Sequence, residues 1–106
     1  MKHGHFEEHW SDANGNPAGG VSSGRGFVCS WQNGPLGRGT ERREPNGCFV
    51  EDVIQAVIGR IEFYQQSRFA CQDNEDALSF LRAAADVLDH RTQNREVRQV
   101  EGTHAV

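Results

Sequence analysis

Residues 46–95 decide the fold, and they read NGCFVEDVIQAVIGRIEFYQQSRFACQDNEDALSFLRAAADVLDHRTQNR. Apolar residues recur at spacings of three and four, which predicts two amphipathic helices folded back on each other. The first helix is expected from about residue 49 to residue 66. Its main apolar stripe consists of Val50, Ile54, Val57, Ile61 and Tyr64. A second stripe on the same helix consists of Phe49, Val53, Ala56 and Phe63. One stripe suffices for packing against the second helix, so the surplus predicts self-association.

The second helix is expected from about residue 75 to residue 95, with Asp73 or Asn74 as its N-cap. The link between the helices, residues 67–73, is short, so we predict that the helices are antiparallel neighbours. The inward stripe expected on the second helix consists of Ala77, Leu81, Ala84 and Leu88, with Phe80 and Val87 beside it.

One strand is predicted upstream of the hairpin. Residues 26–32, GFVCSWQ, alternate so that Phe27, Cys29 and Trp31 share one face. A lone strand is not stable in water. It must therefore pair with the return segment at residues 38–45, with the N-terminal segment or with another subunit. Strand and hairpin together predict an α+β fold.

The chain is short and polar for a compact globule. It has 106 residues, of which 36% are hydrophobic, and its mean hydropathy is -0.69. We predict a flexible arm at residues 1–24 and a single domain at residues 25–106. Within that domain the strand region covers residues 25–45, the helical hairpin residues 49–95 and a C-terminal tail residues 96–106.

Composition argues against several partners and compartments. No apolar run is long enough for a membrane helix, and no signal peptide opens the chain, so we expect a cytoplasmic protein without a membrane partner. The three cysteines are expected to be reduced packing residues. A net charge of -4 argues against binding to DNA or RNA polymers.

The residues offer little for catalysis, so we predict a protein that is not an enzyme and has no cofactor. His3, His5 and His9 lack the rigid frame of a metal site, and no metal is predicted there. Cys71 and His90 are interpreted as a packing cysteine and a solvent-facing histidine rather than as a nucleophile and its base.

The chain does contain material for binding an anionic ring compound. Phe69 lies in the interhelical link beside Arg68, and Asn74 is close by; an aromatic ring stacked on a base contributes roughly 1–3 kcal/mol. Gly102, Thr103 and His104 form a flexible turn that could close over an anion. Arginines, whose forks suit phosphates, flank the hairpin. They are Arg38, Arg42 and Arg43 before it, and Arg91, Arg95 and Arg98 after it.

These motifs resemble a known family. They are the Gly26-Phe27 and Trp31-Gln32 pairs, Asn46–Val53, Phe63–Gln65, Ser67–Cys71, Arg91-Thr92 and Val100–His104. In this order they resemble the phage-encoded cyclic-nucleotide sponge family, whose hairpin domain is shared by anti-Thoeris and anti-CBASS proteins. The resemblance covers about residues 26–104, and its most specific parts are Phe-Ala-Cys and Val-Glu-Gly-Thr-His. Gln72-Asp73-Asn74 departs from the Arg-Glu-Asn expected after Phe-Ala-Cys.

The resemblance implies a small antiparallel sheet ahead of two long helices, assembled into dimers and then hexamers. It implies sequestration, without cleavage, of cyclic ADP-ribose isomers or cyclic di- and trinucleotides in the host cytoplasm, with pockets between subunits. The ligand contacts that it implies are Phe69, Asn74, Arg95, Arg98, Thr103 and His104, with Arg91 nearby and with Arg42 and Arg43 serving a second pocket. The alternatives are a phosphodiesterase-type hydrolase of such messengers and a protein–protein interaction module without a small ligand.

Overall fold

The computed structural model describes residues 4–98 and 101–105. The chain forms two compact units. The sheet unit comprises Met1–Phe49 and Arg98–Val106, and the helical unit comprises Val50–Val97. Strands precede two helices, so the predicted α+β class is confirmed.

The sheet unit contains a three-stranded antiparallel sheet in the order β1-β2-β3. The strands are β1 (Phe6–Ser11), β2 (Pro17–Gly24) and β3 (Phe27–Trp31). The turn after β1 is held by Asp12, whose Oδ1 accepts hydrogen bonds from the backbone N–H groups of Asn14 and Asn16. The predicted strand at residues 26–32 is thus confirmed, and its partner is the N-terminal segment.

Residues 6–24 therefore differ from the flexible arm that the sequence predicts. The central strand β2 carries glycine and serine where a recognisable strand carries an apolar stripe. A Cβ atom on Gly20 would lie 2.5 Å from the carbonyl oxygen of Glu8, so the strands approach closely because that side chain is absent. Backbone hydrogen bonds on both sides of β2 replace the side-chain pattern as the source of order.

A line of side-chain hydrogen bonds crosses the sheet. The indole Nε1 of Trp31 donates to Oγ of Ser22 at 2.8 Å, and that hydroxyl donates to Oε1 of Glu7 at 2.6 Å. The hydrogen bond from Ser22, followed by that from His5, holds the pKa of the Glu7 carboxyl below its ordinary value. Each of the three strands contributes one residue, so the line reinforces their register.

The segment after β3 runs beside that strand only briefly. A parallel bridge pairs Trp31 with Cys48. The backbone N–H of Asn46 donates to Oε1 of Gln32, and Oδ1 of Asn46 accepts a hydrogen bond from the backbone N–H of Asn33. Between them lies a short 3₁₀ turn, Gly39–Glu41. Cys29, buried in β3, has its thiol pKa raised to about 11, first by burial and then by its hydrogen bond with Cys48.

The helical unit is an antiparallel pair, α1 (Val50–Gln65) and α2 (Gln72–Val97). Both predicted helices are confirmed, and α2 begins three residues earlier than the expected residue 75. Ile58 and Leu78 are the buried apolar side chains of this pair, at 6% and 2% exposure. An ion pair between Glu62 and Arg82, at 2.8 Å, ties the two helices together at the surface.

The predicted packing stripes need correction. Val57 in α1 and Ala84 in α2 are expected on the inward faces, but both are exposed, as are Val50 and Tyr64 of the α1 stripe. The other members of the two inward stripes are half-buried, as expected. The covered row of α1 is centred on Ile58, and that of α2 on Leu78. Neighbouring rows on both helices are apolar, and spacings of three and four fit either row, so periodicity alone does not choose between them.

Two glycines give opposite predictions for stability. Gly20→Ala should lower the free energy of unfolding by roughly 1–3 kcal/mol, because the new methyl group collides with the backbone of β1. Gly59→Ala should raise it by about 0.5–1 kcal/mol, because nothing lies within 4 Å of the new methyl group and alanine favours a helix. Urea denaturation followed by circular dichroism measures both, and unchanged stability for Gly20→Ala would contradict the close approach of β1 and β2.

Candidate functional site

The bend between the helices is organised by the side chain of Gln65, the last residue of α1. Its Oε1 accepts hydrogen bonds from the backbone N–H of Cys71 at 3.0 Å and from Nδ2 of Asn74 at 2.9 Å. Its Nε2 donates to the carbonyl of Cys71 at 3.1 Å and to Oε1 of Glu75 at 2.8 Å. One carboxamide therefore joins the end of α1 to the start of α2 and fixes residues 66–71 between them.

Phe69 projects from this bend into solvent, with 65% of the residue exposed. The guanidinium of Arg68 lies 4.9 Å from the centroid of its ring, a cation–π contact. The backbone N–H of Phe69 donates to Oγ of Ser67, and that hydroxyl donates to the carbonyl of Tyr64. The bend thus presents an aromatic ring backed by a positive charge. Such a surface suits an anionic ring system, because the ring can stack on a base and the guanidinium attracts the negative charge.

The structure brings Asn74 to the same bend as Phe69. Besides contacting Gln65, Nδ2 of Asn74 donates to the carbonyl oxygen of Phe69 at 3.4 Å. Both contacts use Nδ2 of Asn74, one of the two side-chain atoms with which an asparagine recognises the edge of an adenine base. Asn74 is therefore a residue that holds Phe69 in place, and a direct contact with a ligand stays a prediction.

Two of the predicted arginines lie near the end of α2. Arg91 is exposed, and Arg95 is half-buried in the last turn of the helix. Their positive charges complement the negative end of the helix dipole. Arg98 follows α2 directly and is exposed. No described contact gathers Arg91, Arg95 and Phe69, so their joint role in one pocket stays a prediction.

A second region lies in the sheet unit, where the loop after β3 meets the C-terminal tail. The backbone N–H of Gly37 donates to the carbonyl of Gly102 at 2.7 Å. Nη1 of Arg42 lies 2.6 Å from Oε2 of Glu101, and Nη1 of Arg38 lies 3.5 Å from the same oxygen. The tail is therefore fastened to the loop immediately before Thr103.

The other predicted residues of this region are placed as follows. Oγ1 of Thr103 accepts a hydrogen bond from the backbone N–H of Ala105 at 3.2 Å. Arg43 is exposed and is anchored through its backbone N–H to the carbonyl of Leu36. The hydrogen bond from the backbone of Asn16 holds the pKa of the Asp12 carboxyl below its ordinary value, followed by that from the backbone of Asn14 and by a smaller electrostatic effect of the nearby His104.

Gln65 and Glu101 are organising residues that the sequence analysis did not single out. Both stand inside motifs that carry the resemblance, Glu101 in Val100–His104 and Gln65 in Phe63–Gln65, so each had a signal in the sequence, but neither motif says what the side chain contacts. Of the three N-terminal histidines, His3 lies outside the described residues. Within residues 4–98 and 101–105, no helix has the length and apolar character to cross a membrane. In the same ranges no group of three or more His, Cys, Asp and Glu side chains is placed to hold a metal ion.

These features define a small α+β protein with a sheet unit, a helical hairpin whose bend exposes an aromatic–arginine pair, and an arginine-rich junction between loop and tail. No protein-family model matches the chain. A curated relative, Thoeris anti-defense 1 of Bacillus phage SBSphiJ7, is 44% identical over 82 residues, which cover 77% of this chain and 55% of the relative. The chain thus spans about half the length of the curated relative it matches. The match supports a phage anti-Thoeris family and confirms that part of the resemblance; the anti-CBASS part stays a prediction.

Gln65→Leu should loosen the bend. The substitution keeps a side chain of similar size but removes four hydrogen bonds, so we expect a loss of roughly 1–3 kcal/mol and faster amide hydrogen exchange at Cys71. Gln66→Leu is the matched control, because Gln66 is the exposed neighbour and is tied to the helix through its backbone. Equal exchange rates at Cys71 in the two variants would contradict the role of Gln65.

Proposed function

We propose that this protein sequesters cyclic nucleotide immune messengers, namely cyclic ADP-ribose isomers or cyclic di- and trinucleotides, without cleaving them. By doing so it blocks Thoeris signalling, or CBASS signalling, in the cytoplasm of the bacterial host of a phage. The observation that carries the proposal is the exposed Phe69 ring backed by Arg68, in a chain related to a protein named Thoeris anti-defense 1.

The roles of the side chains follow from their chemistry. Phe69 stacks on a base of the messenger, and Asn74 keeps the ring in place. Arginine forks bind the phosphates through charge-assisted hydrogen bonds. Thr103 and His104 complete the contacts as donors at the tail. The arginines assigned to phosphates are Arg91, Arg95 and Arg98, and those assigned to a second pocket are Arg42 and Arg43.

Sequestration requires a higher affinity than the contacts of one subunit readily provide. A messenger at low micromolar concentration is removed almost completely only if the dissociation constant is near nanomolar, which corresponds to about -12 kcal/mol. One stacked base supplies roughly 1–3 kcal/mol of this. We therefore propose pockets that combine residues of two subunits, in dimers that assemble into a hexamer.

The surface of the helical unit supports self-association. Phe63, Phe80 and Val87 are 57%, 76% and 68% exposed, respectively. Burying apolar area contributes about 25 cal/mol per Å², so a second copy that covers these side chains gains substantial free energy. The partner proposed for this surface is another copy of the same chain, and neither a nucleic-acid polymer nor a membrane is proposed as a partner.

The test is capture followed by recovery. The protein is mixed with each messenger, free ligand is removed by filtration, the protein is denatured by heat and the released compound is chromatographed. We expect the intact messenger. Linearised product would show a hydrolase instead, and the absence of any bound compound would favour the protein–protein interaction module.

Phe69→Ala should weaken messenger binding about 10- to 100-fold in titration calorimetry, because it removes the stacking surface. Phe6→Ala is the matched control: Phe6 is an exposed phenylalanine of β1, at 51% exposure, and its variant should bind as tightly as the original protein. Equal affinity for both variants would contradict the assignment of Phe69 to the pocket.

A further inference from the structure

Two guanidinium groups converge on one carboxylate at the junction of loop and tail. Arg42 Nη1 and Arg38 Nη1 lie 2.6 Å and 3.5 Å from the same oxygen, Oε2 of Glu101. The Glu101 side chain is only 20% exposed, whereas those of Arg38 and Arg42 are 39% and 44% exposed. The three side chains together carry a net charge of +1, and the arginines are the members of the triad that solvent reaches more easily.

The carboxylate is not the sole fastening of the tail. Nη1 of Arg38 also donates to the backbone carbonyl of Glu101 at 3.0 Å. The N–H of Gly37 donates to the carbonyl of Gly102. Gly102 adopts a φ of +78°, and its backbone approaches Gly37 so closely that a Cβ atom would collide with the Gly37 carbonyl oxygen. The backbone contact between Gly37 and Gly102 requires neither the charge of Glu101 nor an arginine, so the Glu101 side chain can leave Arg38 and Arg42 while the tail stays docked.

We propose that Arg38 and Arg42 form an anion-binding site that Glu101 occupies in the unbound protein, and that the diphosphate group of a ligand displaces the carboxylate. Arg42 then transfers its hydrogen bond, and Arg38 its ion pair, from Oε2 of Glu101 to phosphate oxygens. The inference relies on the proposed function for the identity of the natural ligand only. The exchange itself concerns any compound that presents a diphosphate.

The competition explains why a diphosphate is the suitable ligand. A carboxylate tethered within the same chain competes at an effective concentration on the order of millimolar. A free monoanion offers no more charge than Glu101 and does not displace it at lower concentrations. A diphosphate presents at least two charges and several acceptor oxygens to the two planar forks, so each guanidinium obtains its own charge-assisted contacts.

Glu101→Gln tests the exchange, because it keeps the shape of the side chain and removes the competing charge. In titration calorimetry with inorganic pyrophosphate and with ADP-ribose, we expect the variant to bind each at least about fivefold more tightly than the original protein. Arg42→Ala should bind neither. The matched control is Glu62→Gln, which removes the same charge from the ion pair with Arg82 and should leave both affinities unchanged.

Equal or weaker binding by Glu101→Gln would overturn the proposal and make the triad a structural clip. If this variant does not fold, the original protein provides a second readout. At saturating pyrophosphate, the ¹³C signal of the Glu101 carboxyl group should move to the value of a solvent-exposed glutamate, and an unmoved signal would also overturn the proposal. Tighter binding of pyrophosphate alone would assign the site to the free ion, whereas tighter binding of both compounds would extend it to nucleotide diphosphates.

The outcomes also separate this inference from the proposed function. If the original protein captures a messenger and Glu101→Gln binds diphosphate no better, the sequestration function stands and the exchange fails. If no messenger is captured but the variant binds pyrophosphate more tightly, the exchange stands and the sequestration function fails.

Discussion

The narrow contact between the two helices constrains everything else in the helical unit. Ile58 and Leu78 are its buried apolar side chains, so each helix uses only one row of residues against the other. Two helices joined in this way gain little from packing, and the polar ties at the surface and at the bend become important for holding them together. Because only one row of each helix is buried, Phe63, Phe80 and Val87 remain on the outside, where a second copy could cover them.

Polar side chains act as the organisers of both candidate binding regions. At the bend, the carboxamide of Gln65 adds its hydrogen bonds to the backbone hydrogen bonds of the six-residue link, and together they place Phe69 at the tip. At the junction of loop and tail, Glu101 gathers the two arginines. In each region a single side chain sets the position of the groups that would meet a ligand. The geometry of each candidate region therefore depends on the contacts of one side chain.

The sequence predicted those parts of the structure that depend on contacts between residues close together in the chain. Both helices, their short link and β3 were predicted because periodicity and turn residues are local signals. The proximity of Phe69 and Asn74 follows from five residues of separation at one bend. In contrast, Glu101 pairs with Arg42 and Arg38 across 59 and 63 residues, and no local pattern encodes such a contact. Strand β2 was missed because its glycines and serines carry no apolar alternation, and β1 was missed because Glu7, Glu8 and His9 interrupt its apolar residues.

The contact between Trp10 and Gly19 limits which substitutions the sequence can accept during evolution. A Cβ atom on Gly19 would lie 3.2 Å from Cε3 of Trp10, so the indole ring covers the glycine at the limit of contact. A side chain at position 19 would also lie 3.2 Å from the Cβ atom of Asn33, so it fits only if both neighbours yield. Among descendants of a common ancestor, a bulky ring at position 10 should therefore accompany glycine at position 19, whereas position 10 can take a smaller residue without a change at position 19.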